Sequence, residues 1–150
     1  MSTIDAAQPQ PLTTGFRPGV VVLRIRRGNV YFLLPRLWVR GVVPLHEVVP
    51  LPRAKPWVVG LAVHDGRPLP VLDLAVCSGT AEGGHSVGVL LGAPDQASFA
   101  LVISDGPGRF VSVPAVARLE KSTGWLTRIQ GCAQTSWWLE TARLAAEFKE

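Results

Sequence analysis

Little in this sequence lends itself to covalent chemistry. The 150 residues include two cysteines, Cys77 and Cys132, far apart and without C-x-x-C spacing or a histidine partner pattern. Such a pair reads as reduced thiols rather than a disulfide framework or a zinc site. The three histidines, His46, His64 and His85, have no metal-ligand spacing. A serine hydrolase needs a positioned nucleophile, base and oxyanion donors, and no G-x-S-x-G is present. The glycine-rich run at 83–88, GGHSVG, fits neither the Rossmann nor the P-loop fingerprint. These gaps argue against an enzyme and leave no cofactor or metal to expect. No apolar run approaches the ~20 residues that span a bilayer. The opening MSTIDAAQPQPLTTG has neither the basic nor the apolar region of a secretory signal. A cytoplasmic protein without membrane insertion is expected.

Charge is also scarce, at 17% of residues against 47% hydrophobic, which excludes disorder over most of the length. The net charge of +4 is scattered apart from Arg24, Arg26 and Arg27. That trio reads as a solvated strand face, so no nucleic acid is expected as partner. A small β-barrel that binds nucleic acid is the alternative class, and steeply salt-dependent affinity would mark it.

What the chain has is breakers and short apolar runs. Fifteen glycines and 13 prolines spread through the length cut it into pieces too short for long helices. The pattern reads as all-β, a sandwich or small barrels. Residues 1–18 show no apolar period and are expected to form a flexible tail, with one domain over 19–150. Val20 to Ile25 and Val30 to Leu34 flank Arg27-Gly28-Asn29 and predict a β-hairpin. Leu37 to Val43 predicts a strand with Trp38 and Arg40 on one face, Gly41 marking a bulge or close approach. Pro56 predicts a short helical turn through Trp57, Val58 and Val59, ended by Gly60. Leu61 to His64 and Arg67 to Leu72 pair across Asp65-Gly66, a strong turn signal. With 64 opposite 67, Pro68 and Pro70 fall where the missing N–H would point away from the partner.

Residues 78–86, SGTAEGGHS, predict a loop. Val87 to Leu91 and Phe99 to Ser104 predict a second hairpin, followed by strands at Phe110 to Val113, Trp125 to Ile129 and Trp137 to Leu139. Glu140 to Phe148 predicts a closing amphipathic helix with Leu144 and Phe148 one turn apart. Two clusters of short strands flank the loop at 78–86 and suit two small β subdomains. The tryptophans are core residues by default. Trp137 and Trp138 must face opposite ways on a strand, so one of them, like Trp38, is a candidate interface anchor.

From Trp57 to Leu74 the wording PWVVGLAVHDGRPLPVLDL resembles the signature of the CheW-like domain family. That family has a proline-introduced apolar turn and glycine, a strand, a short turn with glycine, then V-x-P-V-x-D-L. Pro56, Gly60, Gly66, Pro70, Val71, Asp73 and Leu74 match, and the likeness extends over nearly everything past the tail. The resemblance implies two intertwined five-stranded β-barrels of SH3-like type with a hydrophobic seam and a short C-terminal helix. It also implies a non-enzymatic scaffold that links methyl-accepting chemoreceptors to a CheA-type histidine kinase in bacterial chemotaxis. The Pro-Trp-x-x-Gly wording leans toward the PilI-like branch that serves type IV pilus twitching. Carried over from the family, Trp38, Arg40, Val58 and Asp65 are candidates for the receptor groove. The hairpin from Asp65 through Gly66 and Arg67 to Leu69 is the candidate for the kinase.

The chain diverges at one point. Where the family usually reads Asn-Leu-Arg-Gly, this chain has Val63-His64-Asp65-Gly66, and Arg40 stands where a glutamate is common. The exchanged signs suggest an Arg40–Asp65 salt bridge of reversed polarity, with two unrelated surface charges as the alternative.

Overall fold

The computed structural model describes residues 15–77, 87–120 and 124–148. Most of the expected tail and the expected loop at 78–86 lie outside them. Within the expected tail, the Phe16 ring packs edge-on against Trp138 at 5.2 Å.

Among the described residues, twelve strands form two six-stranded sheets. The chain starts in the first with β1 (Val21–Arg27) and β2 (Val30–Pro35), a hairpin turning at Gly28-Asn29. It then crosses to the second for β3 (Val39–Pro44), β4 (Val49–Pro50), β5 (Val58–His64), β6 (Arg67–Leu72), β7 (Val87–Leu91) and β8 (Ala100–Ser104). It returns to the first with β9 (Arg109–Ser112), β10 (Arg118–Leu119), β11 (Leu126–Gln130) and β12 (Ser136–Leu139). The orders are β10-β11-β12-β2-β1-β9 and β3-β7-β8-β6-β5-β4. Each sheet thus holds five longer strands' worth of barrel plus a two-residue strand, β10 or β4. The division differs from two clusters split at 78–86, because β7 and β8 join the sheet before that stretch and β1 and β2 join the sheet after it.

Three apolar clusters explain why so many runs are apolar at consecutive positions. Val22, Leu33, Ile129 and Trp138 fill the first barrel, and Ala62, Leu69, Val71, Leu90, Leu101 and Ile103 fill the second. Between the barrels a larger cluster takes Leu23, Ile25, Phe32 and Leu34 from one side and Leu72, Val89, Leu91 and Val102 from the other. Alternate residues of one strand therefore enter a barrel interior and the seam, so both faces are buried. A short helix, α1 (Leu74–Cys77), follows β6, and α2 (Thr141–Ala146) closes the chain with Leu144 buried in the seam.

Two local expectations are overturned. Residues Arg36–Trp38 form a 3-10 turn, so the strand expected from Leu37 begins only at Val39. The shift in register between Val39 and Gly41 makes Arg40 the bulged residue. The helical turn expected at Pro56 is extended from Val58 onward. Val58 and Val59 are β-branched and pack better on a pleated surface. Gly60 is there because a Cβ would lie 2.1 Å from the Val49 carbonyl oxygen.

Candidate functional site

The β5–β6 hairpin has the expected register, His64 opposite Arg67, with Asp65 at φ 50° and Gly66 at φ 76°. Both central residues left-handed is the type I′ turn that matches strand twist. Val63 faces Pro68 and Leu61 faces Pro70, the positions whose N–H groups would point outward. On that outward side β6 pairs with β8 only from Val71 on. The prolines leave the tip of the hairpin projecting and unpaired there.

Asp65, Gly66 and Arg67 are exposed at this tip. His64 Nε2 lies 3.5 Å from Asp65 Oδ2, and the Arg67 guanidinium donates to the Ser98 carbonyl at 3.2 Å. The next residue, Phe99, meets Trp38 edge-on at 6.4 Å, while the Trp38 carbonyl accepts the Gly92 N–H at 2.9 Å. Arg40 is exposed and lies against Gly92. The connection at 92–99 therefore joins Trp38 and Arg40 on one side to Arg67 on the other. Beside the tip, a groove of about 700 Å³ runs between residues 43–49 and the hairpin, lined by Val43, Leu45, Val49, Leu61, Val63 and Asp65 among others. Val49 and Val63 leave most of their surface exposed there, an apolar strip edged by His46, Glu47 and Asp65.

Two candidate assignments change, and a third residue is placed apart from the tip. Leu69 is 2% exposed inside the second barrel, so it is a core residue with no surface for a partner. Val58 is half-buried against the seam at the far end of the seven-residue β5 from Asp65. At about 3.3 Å per residue the two lie roughly 20 Å apart, in different surfaces. No ion pair joins Arg40 to Asp65 among the described residues. Two strands, β7 and β8, stand between β3 and β6 in the sheet.

Two constellations escaped the sequence reading. The first is an aromatic row: Trp125 meets Trp57 at 5.0 Å, Trp57 meets Phe148 at 6.0 Å, and Phe148 meets Phe99 at 5.7 Å, leading on to Trp38. All five rings are half-buried along the mouth of the seam. No local pattern could join them, since they come from five separate segments. Of the adjacent pair, Trp138 is core, while Trp137 is half-buried on the opposite face with Arg128 over its ring at 5.8 Å.

The second is ionic. Arg27, expected to be solvated, is 1% exposed and ties the barrels together. Its Nε and Nη2 donate to Asp73 at 3.1 and 2.6 Å, and its Nη1 donates to Asp105 at 2.9 Å. The bonds to Asp73 do most to hold the guanidinium charged, outweighing burial, with Asp105 adding to them. Asp105 also accepts the Gly28 N–H at 2.7 Å, gripping the β1–β2 turn, and Asp73 accepts the Ala75 N–H at 3.1 Å, which starts α1. The signature aspartate is thus the second barrel's half of a buried, bidentate clamp. It fixes the relative placement of the barrels, and with it the seam mouth.

The CheW-like domain profile matches residues 20–113. Among solved structures, the scaffolding protein TtCheW from Thermoanaerobacter tengcongensis is similar in fold, with a TM-score of 0.61 at 16% identity over 81% of this chain and 88% of that one. No curated protein matches the chain significantly in sequence.

Proposed function

The chain belongs to the CheW-like domain family, and from that premise we propose that it acts by binding, as a non-catalytic cytoplasmic adaptor between chemoreceptors and a CheA-type histidine kinase. The observation that carries this reading is the exposed tip at Asp65-Gly66-Arg67, joined through Ser98 and Phe99 to Trp38 and Arg40 and bordered by an apolar groove. An exposed turn beside apolar surface has the anatomy of an interface: an apolar core with a charged rim. The structural relative is named a scaffolding protein, which agrees with it. Receptor and kinase would divide the seam mouth near Trp38 and Val58 and the hairpin tip between them. The PilI-like wording around Trp57 favours a twitching system over a flagellar one.

Because Arg40 and Asp65 carry the reverse of the usual family signs, the matching partner should set a basic group against Asp65 and an acidic one against Arg40. A pull-down with the CheA-type kinase and the receptor signalling tips of the same cell tests the reading. The folded chain should retain at least one of them, and Asp65→Arg combined with Arg40→Glu should weaken that capture at least tenfold. A folded chain that retains neither partner would defeat the proposal. Loss of twitching with intact swimming, in cells lacking the protein, would identify the pilus branch.

A further inference from the structure

We propose that the free edge of β9, on the first barrel, is a separate docking site that takes an extended acidic segment of a partner protein as an added strand. Among the described residues β9 ends its sheet, with β1 on one side only. The Val113 N–H donates to the Val20 carbonyl at 2.9 Å. The alternation of an antiparallel ladder then turns Arg109 and Val111 toward β1, and Phe110 and Ser112 outward. Their N–H and C=O groups form an unpaired edge, a template for another strand.

The side chains select the chemistry of that strand. Arg24 sits directly opposite Arg109 in the register, and Arg26 follows two residues along on the same face. Like charges directly opposite are destabilising, so the fold gains nothing from this pair. Arg26 is drawn away, donating to the Gly28 carbonyl at 2.9 Å with Asp105 at 3.9 Å. Arg24 lies over the Tyr31 ring at 5.0 Å, and no carboxylate pairs with Arg24 or Arg109 among the described residues. A notch of about 200 Å³ opens between β9 and the β11–β12 turn, lined by Arg24, Tyr31, Val111, Ser112 and Gln134 among others, with no acidic residue. On the other face Phe110 is 58% exposed. An added strand would alternate, with acidic side chains on the arginine face and an apolar one beside Phe110. The site does not depend on the hairpin tip of the second barrel, so its failure would leave the kinase and receptor reading intact.

The test uses the full chain and a fluorescein-labelled five-residue peptide of alternating glutamate and valine, read by anisotropy. It should bind at least tenfold more tightly than the matching lysine–valine peptide. Arg109→Glu should weaken binding at least tenfold with an unchanged circular dichroism spectrum. Ser112→Pro, which removes one outward N–H and leaves the β1 ladder whole, should weaken it too. In the unmodified protein the peptide should slow hydrogen exchange at the Phe110 and Ser112 amides, a readout that holds even if the proline variant fails to fold. Equal binding of the two peptides, unaltered binding by folded Arg109→Glu, or no added protection would each overturn the proposal. So would tighter binding of a single-stranded oligothymidine than of the acidic peptide, which would make the arginine row a nucleic-acid contact.

Discussion

Replacing Glu140 by glutamine should remove a pH dependence that the fold imposes on its own stability. Glu140 leads into α2, is 6% exposed, and its Oε2 is buried with no hydrogen-bond partner. Burial pushes its carboxyl from the ordinary 4.5 up to about 7; the Trp138 indole and the Arg143 guanidinium limit the rise without reaching hydrogen-bond geometry at Nε1 or Nη1. The folded chain therefore keeps a proton that the unfolded chain releases between pH 4.5 and about 7. Stability from this group is complete below pH 4.5, declines as pH rises through about 7, and is gone above it. At about 1.4 kcal/mol for each tenfold in proton affinity, the interval corresponds to roughly 3 kcal/mol. Urea denaturation of the wild type and Glu140→Gln at pH 5, 6, 7 and 8 reads this directly. The two should lie closest at pH 5, and the advantage of the variant should grow by roughly 2–3 kcal/mol between pH 5 and pH 8. A difference that stays constant with pH to within about 0.5 kcal/mol would refute the burial argument.

Two further outcomes follow from the packing. Arg27→Met leaves the buried Asp73 carboxylate without its guanidinium and takes one partner from the part-buried Asp105, and should cost about 3–5 kcal/mol, measured by chemical denaturation at pH 7. A loss under about 1 kcal/mol would mean that the clamp is solvated after all. Gly60→Ala places a methyl carbon against the Val49 carbonyl oxygen and must push β4 from β5, at a cost of about 1–3 kcal/mol in the same assay. An unchanged midpoint there would show that β4 gives way freely.

Much of the architecture was legible because it is written in short-range rules. The turns have φ > 0 at Gly28 in the first and at both Asp65 and Gly66 in the second, and two-residue turns set the register of whatever flanks them. The prolines at 68 and 70 fell where a missing donor does no harm, as the register required. The hairpins at 87–104 and 126–139 and the closing helix were readable by the same means. The seam was less so. A continuous run such as Ala100-Leu101-Val102-Ile103 says that both faces are buried without saying against what.

The candidate interface was legible only in part. Asp65, Gly66 and Arg67 lie in a turn whose chemistry guarantees exposure, so position in sequence was enough. Leu69 shares the hairpin and alternates inward, a matter of which face the barrel closes over. Trp38 and Arg40 are separated from Arg67 by almost thirty residues of chain and joined to it by a connection, at 92–99, that local propensity could not place.

The sequence by itself determined the turns, the strand registers beside them, the apolar period and the family signature, all consequences of backbone sterics over a few residues. Only the tertiary structure decided that Arg27 is buried rather than solvated, because its partners, Asp73 and Asp105, end two strands of the other barrel. It likewise decided that Glu140 is enclosed with its Oε2 unbonded, that five aromatic rings from separate segments line one mouth, and that Arg24 faces Arg109 across a ladder with a free edge beyond among the described residues. The physical reason is common to all four: burial and pairing energies depend on which distant groups the fold brings within a few ångströms, and local sequence does not carry that distance.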